Sequence, residues 1–257
     1  MGYLDGKIIV RSFDKKKEIK YALHEAKEWS EVIRYSPEGN LLAVGSHDNN
    51  IYIFDVDDDY SLRTKCVAHS SYIMAFDWSA DQEWIKSNCG AYELLFFKIP
   101  DSRTRDTKNT GSGASDTKDL TWATETCKLG WSVQGIYPPG VDGTHVNGVD
   151  TLHSEKIIIT GDDFGYVNIY NYPCLEDNTW CRSMKGHSEH VVRVMFANEG
   201  WNILSVGGYD QTVLLWTLKG SEPLERKNRA APPSDRKMPK ITERTEEDDS
   251  DGPPKKW

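Results

Sequence analysis

Histidines, paired carboxylates, serines and cysteines are the side chains of this 257-residue chain that could support chemistry. His24, His69, His187 and His190 are the candidates for a metal centre. Metal ligands must converge within about 2–2.6 Å of one point. Three of these histidines recur at a repeat spacing, which places them at equivalent corners of separate units rather than around one ion. His190 reads as a solvent-facing loop residue. Asp162-Asp163, with His153 and Glu155, could be drawn as an acid–base pair or a calcium loop. A calcium loop needs oxygen ligands at alternate positions and a distal Glu, a spacing this segment lacks, so the two carboxylates read as turn formers. Gly111-Ser112-Gly113 has the composition of a flexible linker rather than a nucleophile elbow. No glycine loop followed by Lys-Ser/Thr is present to cradle a phosphate. The expectation is a non-enzyme with no catalytic, cofactor-binding or metal-binding residues.

Charge and composition narrow the class further. Lys and Arg number 31 and Asp and Glu 40, so the net charge is −9, with 38% apolar residues. Phosphate affinity depends on clustered basic residues, so a general nucleic-acid binder is disfavoured. No apolar run approaches the ~18 residues of a membrane-spanning helix, and the first residues do not read as a secretory signal. Five cysteines without a Cys-x-x-Cys pair suit a reducing cytosol better than a disulfide framework.

The elements that position these residues are short, and they repeat. Leu41 to Val56, Ile85 to Ile99, Ile157 to Tyr170 and Ile203 to Leu218 each show an apolar run, a small or polar turn, and a second apolar run. Gly2 to Phe13 fits the second half of the pattern. Superposing Gly2, Gly45, Ser87, Gly161 and Gly207 gives intervals of 43, 42, 74 and 46 residues by subtraction. The long interval is one period plus extra residues, assigned to a polar loop at 101–119 and an irregular stretch at 130–148. A period near 42 residues is that of four-stranded propeller blades. Asp5-Gly6, Asp48-Asn49-Asn50, Asp163-Phe164-Gly165 and Asp210-Gln211 supply the hairpin turns. Ile51-Tyr52-Ile53-Phe54 and Val213-Leu214-Leu215-Trp216 are apolar on both faces, as strands sandwiched between neighbouring sheets are. The modest helical candidate Lys15 to Trp29 is assigned instead to an outer strand and a loop.

Gly186-His187, Asp210 and Trp216 resemble the last repeat of a WD-repeat propeller, with Ser205 as the hydroxyl member. In that family these residues form a buried hydrogen-bonded chain, so the resemblance implies a blade-fastening role for His187, Ser205, Asp210 and Trp216. Ala68-His69 and His24-Glu25 stand where Gly-His would be, and Phe54-Asp55 where Trp-Asp would be. His69 and the turn residue Asp48 join the fastening set. The Cys89-Gly90 repeat shows no turn Asp at the matching place.

A more specific likeness lies in Thr121-Trp122-Ala123-Thr124-Glu125-Thr126-Cys127-Lys128-Leu129-Gly130-Trp131, followed by Gln134-Gly135-Ile136-Tyr137-Pro138. Asp142-Gly143-Thr144-His145-Val146-Asn147, Thr160-Gly161-Asp162-Asp163-Phe164-Gly165 and Tyr172-Pro173-Cys174 continue it. These pieces resemble the second propeller of the echinoderm microtubule-associated protein-like family. The resemblance covers Gly2 to Leu218. It implies an all-β WD-repeat propeller segment of about four to five four-stranded blades, forming an incomplete ring. It also implies association with tubulin or microtubules in the cytoplasm and cytoskeleton, with missing blades of a longer parent chain as further partners. The alternative is a general interaction scaffold that grips a peptide of a regulatory protein. A partial blade is expected at 1–23, with blades at 24–67, 68–128, 129–185 and 186–218. The stretch 219–257, rich in Pro and charge, is expected to be a disordered tail. The acidic run Asp55 to Asp59 reads as a solvated loop between blades, and Arg103, Arg105 and Lys185 are the basic residues available for an acidic partner.

Overall fold

The computed structural model describes residues 4–11, 19–101, 109–111, 114–137, 144–177, 179–197 and 202–218. The 219–257 stretch, Gly2, Arg103, Arg105 and the turns at 138–140 and 142–143 lie outside the described residues. Sixteen strands are described. A two-stranded sheet holds β1 (Ile8–Arg11) and β2 (Ile19–Leu23). A four-stranded sheet holds β3 (Ser30–Tyr35), β4 (Leu41–Ser46), β5 (Asn50–Asp55) and β6 (Ser61–Val67). A three-stranded sheet follows with β7 (Ile73–Trp78), β8 (Trp84–Cys89) and β9 (Leu94–Lys98). The next sheet has β10 (Val146–Leu152), β11 (Ile157–Asp162), β12 (Tyr166–Asn171) and β13 (Arg182–Lys185). The last has β14 (Val191–Ala197), β15 (Asn202–Gly207) and β16 (Val213–Thr217). All are antiparallel meanders stacked side by side, so the fold is an all-β propeller arrangement. Two of the five described sheets have four strands, fewer than the sequence pattern suggests.

A shared irregularity shows that the sheets are repeats. The first strand of each of the four larger sheets slips register after its first residue, at Ser30/Val32, Ile73/Ala75, Val146/Gly148 and Val191/Arg193. Such bulges increase local twist, and here the same twist enters each sheet at the same strand. The pairing also corrects the superposition made from sequence. Val32, Ala75, Gly148 and Arg193 pair with Gly45, Asn88, Gly161 and Val206. Ser87 therefore lies one residue early and Gly207 one late. Small residues mislead here, because Ser87 and Gly207 stand beside the matching positions, which hold Asn88 and Val206.

Burial follows the stacking. Ile51 and Ile53 of β5 pack against Ile73, Phe76, Ile85 and Phe97 of the next sheet. Ile159, Val167 and Ile169 pack against Val191, Val194 and Ile203. Leu42, Val44, Tyr52 and Phe54 cover Ile8 and Ala26 on the other side. Gly6 and Gly165, in equivalent turns with φ of +79° and +80°, sit directly against backbone carbonyls of the next unit, at Ala26 and at His187. A Cβ at either place would meet those carbonyls as well as a strained φ.

Within the third interval, the segment Leu120–Ile136 runs between the β7–β9 and β10–β13 sheets as a packed wedge. Trp122 joins Trp84 and Phe96 on one side. Val133 and Ile136, in a 3-10 turn at Trp131–Ile136, join Val146, Val149, Ile158 and Tyr170 on the other. Backbone bonds tie it at both ends, Ala123 N–H to Trp78 C=O (2.9 Å) and Gly135 N–H to Cys174 C=O (2.8 Å). Asn109, from the stretch expected to be a mobile loop, pairs in parallel with Cys66 of β6.

Candidate functional site

Three kinds of polar feature are candidates: ties between a histidine and its sheet, a buried charge cluster in the wedge, and a cleft where the first strands of the sheets meet.

The His187 tie is the fullest. Its Nδ1 lies 2.8 Å from Asp210 Oδ2 and 2.9 Å from Thr212 Oγ1, and its Nε2 lies 2.7 Å from Ser205 Oγ. Trp216 Nε1–H donates to the same Ser205 Oγ at 2.8 Å. Ser205 and His187 are buried. Burial raises the Asp210 carboxyl, but the Thr212 N–H and the His187 side chain outweigh it and hold the group below its ordinary value. Ser205→Ala leaves the buried His187 Nε2 and the partly buried Trp216 Nε1–H without this partner, and is expected to cost about 1–3 kcal/mol of stability. Urea unfolding measures it; an unchanged midpoint would show that the tie carries no stability.

His69 makes a variant of this tie. Its Nε2 lies 2.7 Å from Ser87 Oγ, and its Nδ1 3.1 Å from Glu93 Oε2. Glu93 supplies the carboxylate that the pattern lacked, one residue later than Asp210 stands relative to its histidine. Phe97 stands at the Trp216 position, by strand pairing with Ile85 as Trp216 pairs with Ile203. Its ring meets His69 at 6.0 Å between centroids without a donor to offer.

In the sheet before it, the assignment of His24 fails. Counting back four residues from the first strand, as from Val191 to His187 and from Ile73 to His69, reaches Ala26, which is buried, whereas His24 is exposed. Asp48 instead accepts the Lys27 N–H at 2.9 Å and the Tyr52 O–H at 2.7 Å, and bonds Asn50 as well. Burial raises its carboxyl, while the Lys27 N–H, Tyr52 and Asn50 outweigh that and lower it. Thus His187, Ser205, Asp210 and Trp216 come together, His69 meets Ser87, and Asp48 stands in a third arrangement.

The other sequence candidates do not converge. Val146 pairs with Asp162 and Leu152 with Ile157, so Asp162 and His153 stand at opposite ends of the β10–β11 pair. Asp162 is buried and accepts the N–H groups of Phe164 (3.0 Å) and Tyr166 (2.9 Å). Within the acidic run, Asp55 pairs with Arg63 at 2.5 Å, Ser61 donates to Asp58 at 2.6 Å and Tyr21 to Asp59 at 2.7 Å. The five cysteines are free thiols.

The wedge carries the feature that sequence reasoning missed. Lys86 Nζ contacts Glu125 Oε1 at 2.6 Å and Asp77 Oδ2 at 3.9 Å, and Arg34 Nη1 contacts Asp77 Oδ1 at 3.0 Å. Asp77 and Glu125 are fully buried and Lys86 nearly so. Asp77 also accepts the Thr126 and Cys127 N–H groups at 2.9 Å, and Thr124 Oγ1–H at 2.7 Å. Burial pushes its carboxyl up, but Lys86, Arg34 and these donors hold it below its ordinary value. Burial likewise lowers Lys86, and Asp77 and Glu125 together raise it past its ordinary value. The Asp77 carboxylate and the Lys86 ammonium are therefore both held in their charged forms. Spacing could not reveal it, since the partners are 39 and 43 residues apart in sequence.

The first strands β3, β7, β10 and β14 border one cleft of about 380 Å³, lined by Glu31, His47, Tyr72, Lys128, His190 and Arg193 among others. Arg193 reaches Glu31 across it at 3.5 Å. His190 lies here, partly buried and edge-on to Tyr209 at 5.3 Å, rather than as a free loop residue. Trp29, His47 and Tyr72 stack in series at its rim, at 4.1 and 4.5 Å between centroids.

A family model described as the echinoderm microtubule-associated protein second beta-propeller matches residues 1–218. The chain belongs to that family. The ciliary WD repeat-containing protein ctxp80 of Euplotoides octocarinatus is 46% identical over 223 residues, 85% of this chain and 30% of that protein. Echinoderm microtubule-associated protein-like 4 of Xenopus tropicalis is 42% identical over 197 residues, 76% of this chain and 21% of that protein. Echinoderm microtubule-associated protein-like 1 of Homo sapiens is 40% identical over 220 residues, 84% of this chain and 26% of that protein. The chain thus spans between a fifth and a third of the length of these relatives. Among solved structures, a chain of the mitotic checkpoint complex aligns with a TM-score of 0.62 at 12% identity, covering 85% of this chain and 70% of that one. At that identity the likeness concerns fold alone, and it agrees with the stacked meanders of this member of the family.

Proposed function

We propose that this chain is a non-enzymatic, cytoskeletal binding module that associates with tubulin or microtubules in the cytoplasm. The observation that carries this reading is the match of residues 1–218 to the second propeller of a family whose members are named as microtubule-associated proteins. A binding rather than a catalytic role is supported by the polar groups at His187, Asp210, Asp48, Asp77 and Glu125, which are engaged by backbone and side-chain groups of the same or neighbouring sheets. The tie residues His187, Ser205, Asp210, Trp216, His69 and Asp48 fasten the blades, and the sheets they fasten present loops and the cleft rim as a preset surface. With a net charge of −9, contact with acidic tubulin rests on shape, aromatic groups such as Trp29 and Tyr72, and local basic side chains such as the exposed Lys185.

Co-sedimentation of the full chain with stabilised microtubules tests this. The expected result is a pelleted fraction that rises with polymer concentration and saturates. Absence from the pellet, together with no complex with soluble tubulin dimers, would overturn it. Reproducible capture of a non-tubulin protein in that case would favour the peptide-gripping scaffold instead.

A further inference from the structure

The His69 tie differs from the His187 tie in one residue that changes its chemistry. Cys89 occupies the strand position held by Gly207 in the last sheet, since Ile73 pairs with Cys89 as Val191 pairs with Gly207. Cys89 Sγ lies 3.1 Å from Glu93 Oε2, the same oxygen that His69 Nδ1 meets at 3.1 Å. An imidazole nitrogen, a thiol sulfur and a carboxylate oxygen, from residues 4 to 24 apart in sequence, thus converge so that all three lie within 4.8 Å of one another. We propose that His69, Cys89 and Glu93 form a binding site for a zinc-type divalent transition metal, with solvent in the fourth position.

The donor set fits such an ion. Sulfur, imidazole nitrogen and carboxylate oxygen bind zinc at about 2.3, 2.0–2.1 and 2.0–2.2 Å. A tetrahedral centre separates such donors by about 3.3–3.6 Å, so side-chain adjustments of an ångström or less seat the metal. Thiolate with imidazole selects zinc or cobalt over magnesium or calcium. The surrounding groups are those a site needs to orient its ligands. Ser87 Oγ sits 2.7 Å from His69 Nε2 and can accept its proton, leaving the Nδ1 lone pair for the metal. The Ser70 N–H and O–H hold the two carboxylate oxygens of Glu93 at 3.0 and 2.7 Å. His69 and Cys89 are buried, while the Glu93 side chain is 34% exposed and opens the site to solvent.

A free thiol is protonated at neutral pH and binds metal as the thiolate. Binding therefore forms metal–nitrogen, metal–sulfur and metal–oxygen bonds and releases one proton, from Cys89, to the buffer; affinity rises with pH.

Cobalt(II) titration of the full chain, followed by zinc displacement, is the test. The expected result is a near-ultraviolet thiolate-to-cobalt charge-transfer band with visible d–d bands that saturate at one equivalent and disappear on adding zinc. Calorimetry in buffers of different ionisation enthalpy should report one proton released. Cys89→Ser, which keeps a hydroxyl to meet Glu93, should abolish the charge-transfer band. Glu93→Gln should keep it but weaken binding by roughly tenfold or more. Cys181→Ser, at the less buried cysteine, should change nothing. No band at stoichiometric cobalt, or a band that persists in Cys89→Ser with native circular dichroism, would overturn the site and leave the cluster as a tie like that of His187.

Discussion

Replacing Lys86 with methionine is expected to destabilise the protein by about 3–5 kcal/mol, as breaking a buried ion pair from one side does. Methionine fills the same volume and keeps the contact with Trp122, whose ring centroid lies 4.6 Å from Lys86 Nζ. The loss is therefore electrostatic: Glu125 and Asp77 would remain buried, with Arg34, the hydroxyls of Ser132, Thr124 and Thr126, and the backbone donors as their compensation. Adding Glu125→Leu should recover part of that loss, because the pair is removed together and its desolvation cost disappears with it. Urea unfolding of both variants decides the matter; a loss below about 1 kcal/mol for the single variant would mean the cluster behaves as if solvated. The pH dependence has a sign at each end. Asp77 is held below its free value, so its contribution is complete above pH ~4 and is lost as pH falls through its folded value. Lys86 is held above its free value, so its contribution is complete below pH ~10 and is lost as pH rises through its folded value.

Val213→Lys with Leu215→Lys is expected to turn a self-associating chain into a monomer. Val213 and Leu215 are 65% and 64% exposed. They share a sheet face with Val206 and Leu204, their pairing partners, and with Met195. The matching positions in earlier sheets, Ile51 and Ile53 of β5 and Val167 and Ile169 of β12, are buried beneath the sheet that follows. Among the described residues nothing covers them in the last sheet, and contiguous apolar patches of this kind drive association. Light scattering should show a mass that grows with concentration above 29.2 kDa for the natural sequence and stays at the monomer value for the double variant. A natural chain that remains monomeric as concentration rises would sink the prediction.

Legibility from sequence followed locality. The strands could be read because Ile51-Tyr52-Ile53-Phe54 and its counterparts carry their periodicity within a few residues. The His187 group could be placed because Gly-His, Asp and Trp recur in one short unit. Ser87 and Gly207 lie one residue from the matching positions because the superposition follows small residues, and the matching positions hold Asn88 and Val206. His24 carries the right chemistry, but the position is set by the distance to the next strand, which selects Ala26. Glu93 escapes the pattern because it stands directly before β9, one residue farther from His69 than Asp210 stands from His187. The Arg34–Asp77–Lys86–Glu125 cluster and the His69–Cys89–Glu93 cluster are contacts between elements, and only the three-dimensional stacking brings their members together.

The wedge at Leu120–Ile136 limits how freely this architecture can be edited. A propeller of interchangeable blades tolerates loss, duplication or grafting of a whole repeat, since every joint has the same shape. Here one joint is filled by a segment from the intervening connection, with backbone N–H groups fitted to Asp77 and Glu125 fitted to Lys86 on one side, and a 3-10 turn fitted to Tyr170 on the other. Shuffling units across that joint would strand charge in an apolar gap, so the order of blades on either side of it is locked.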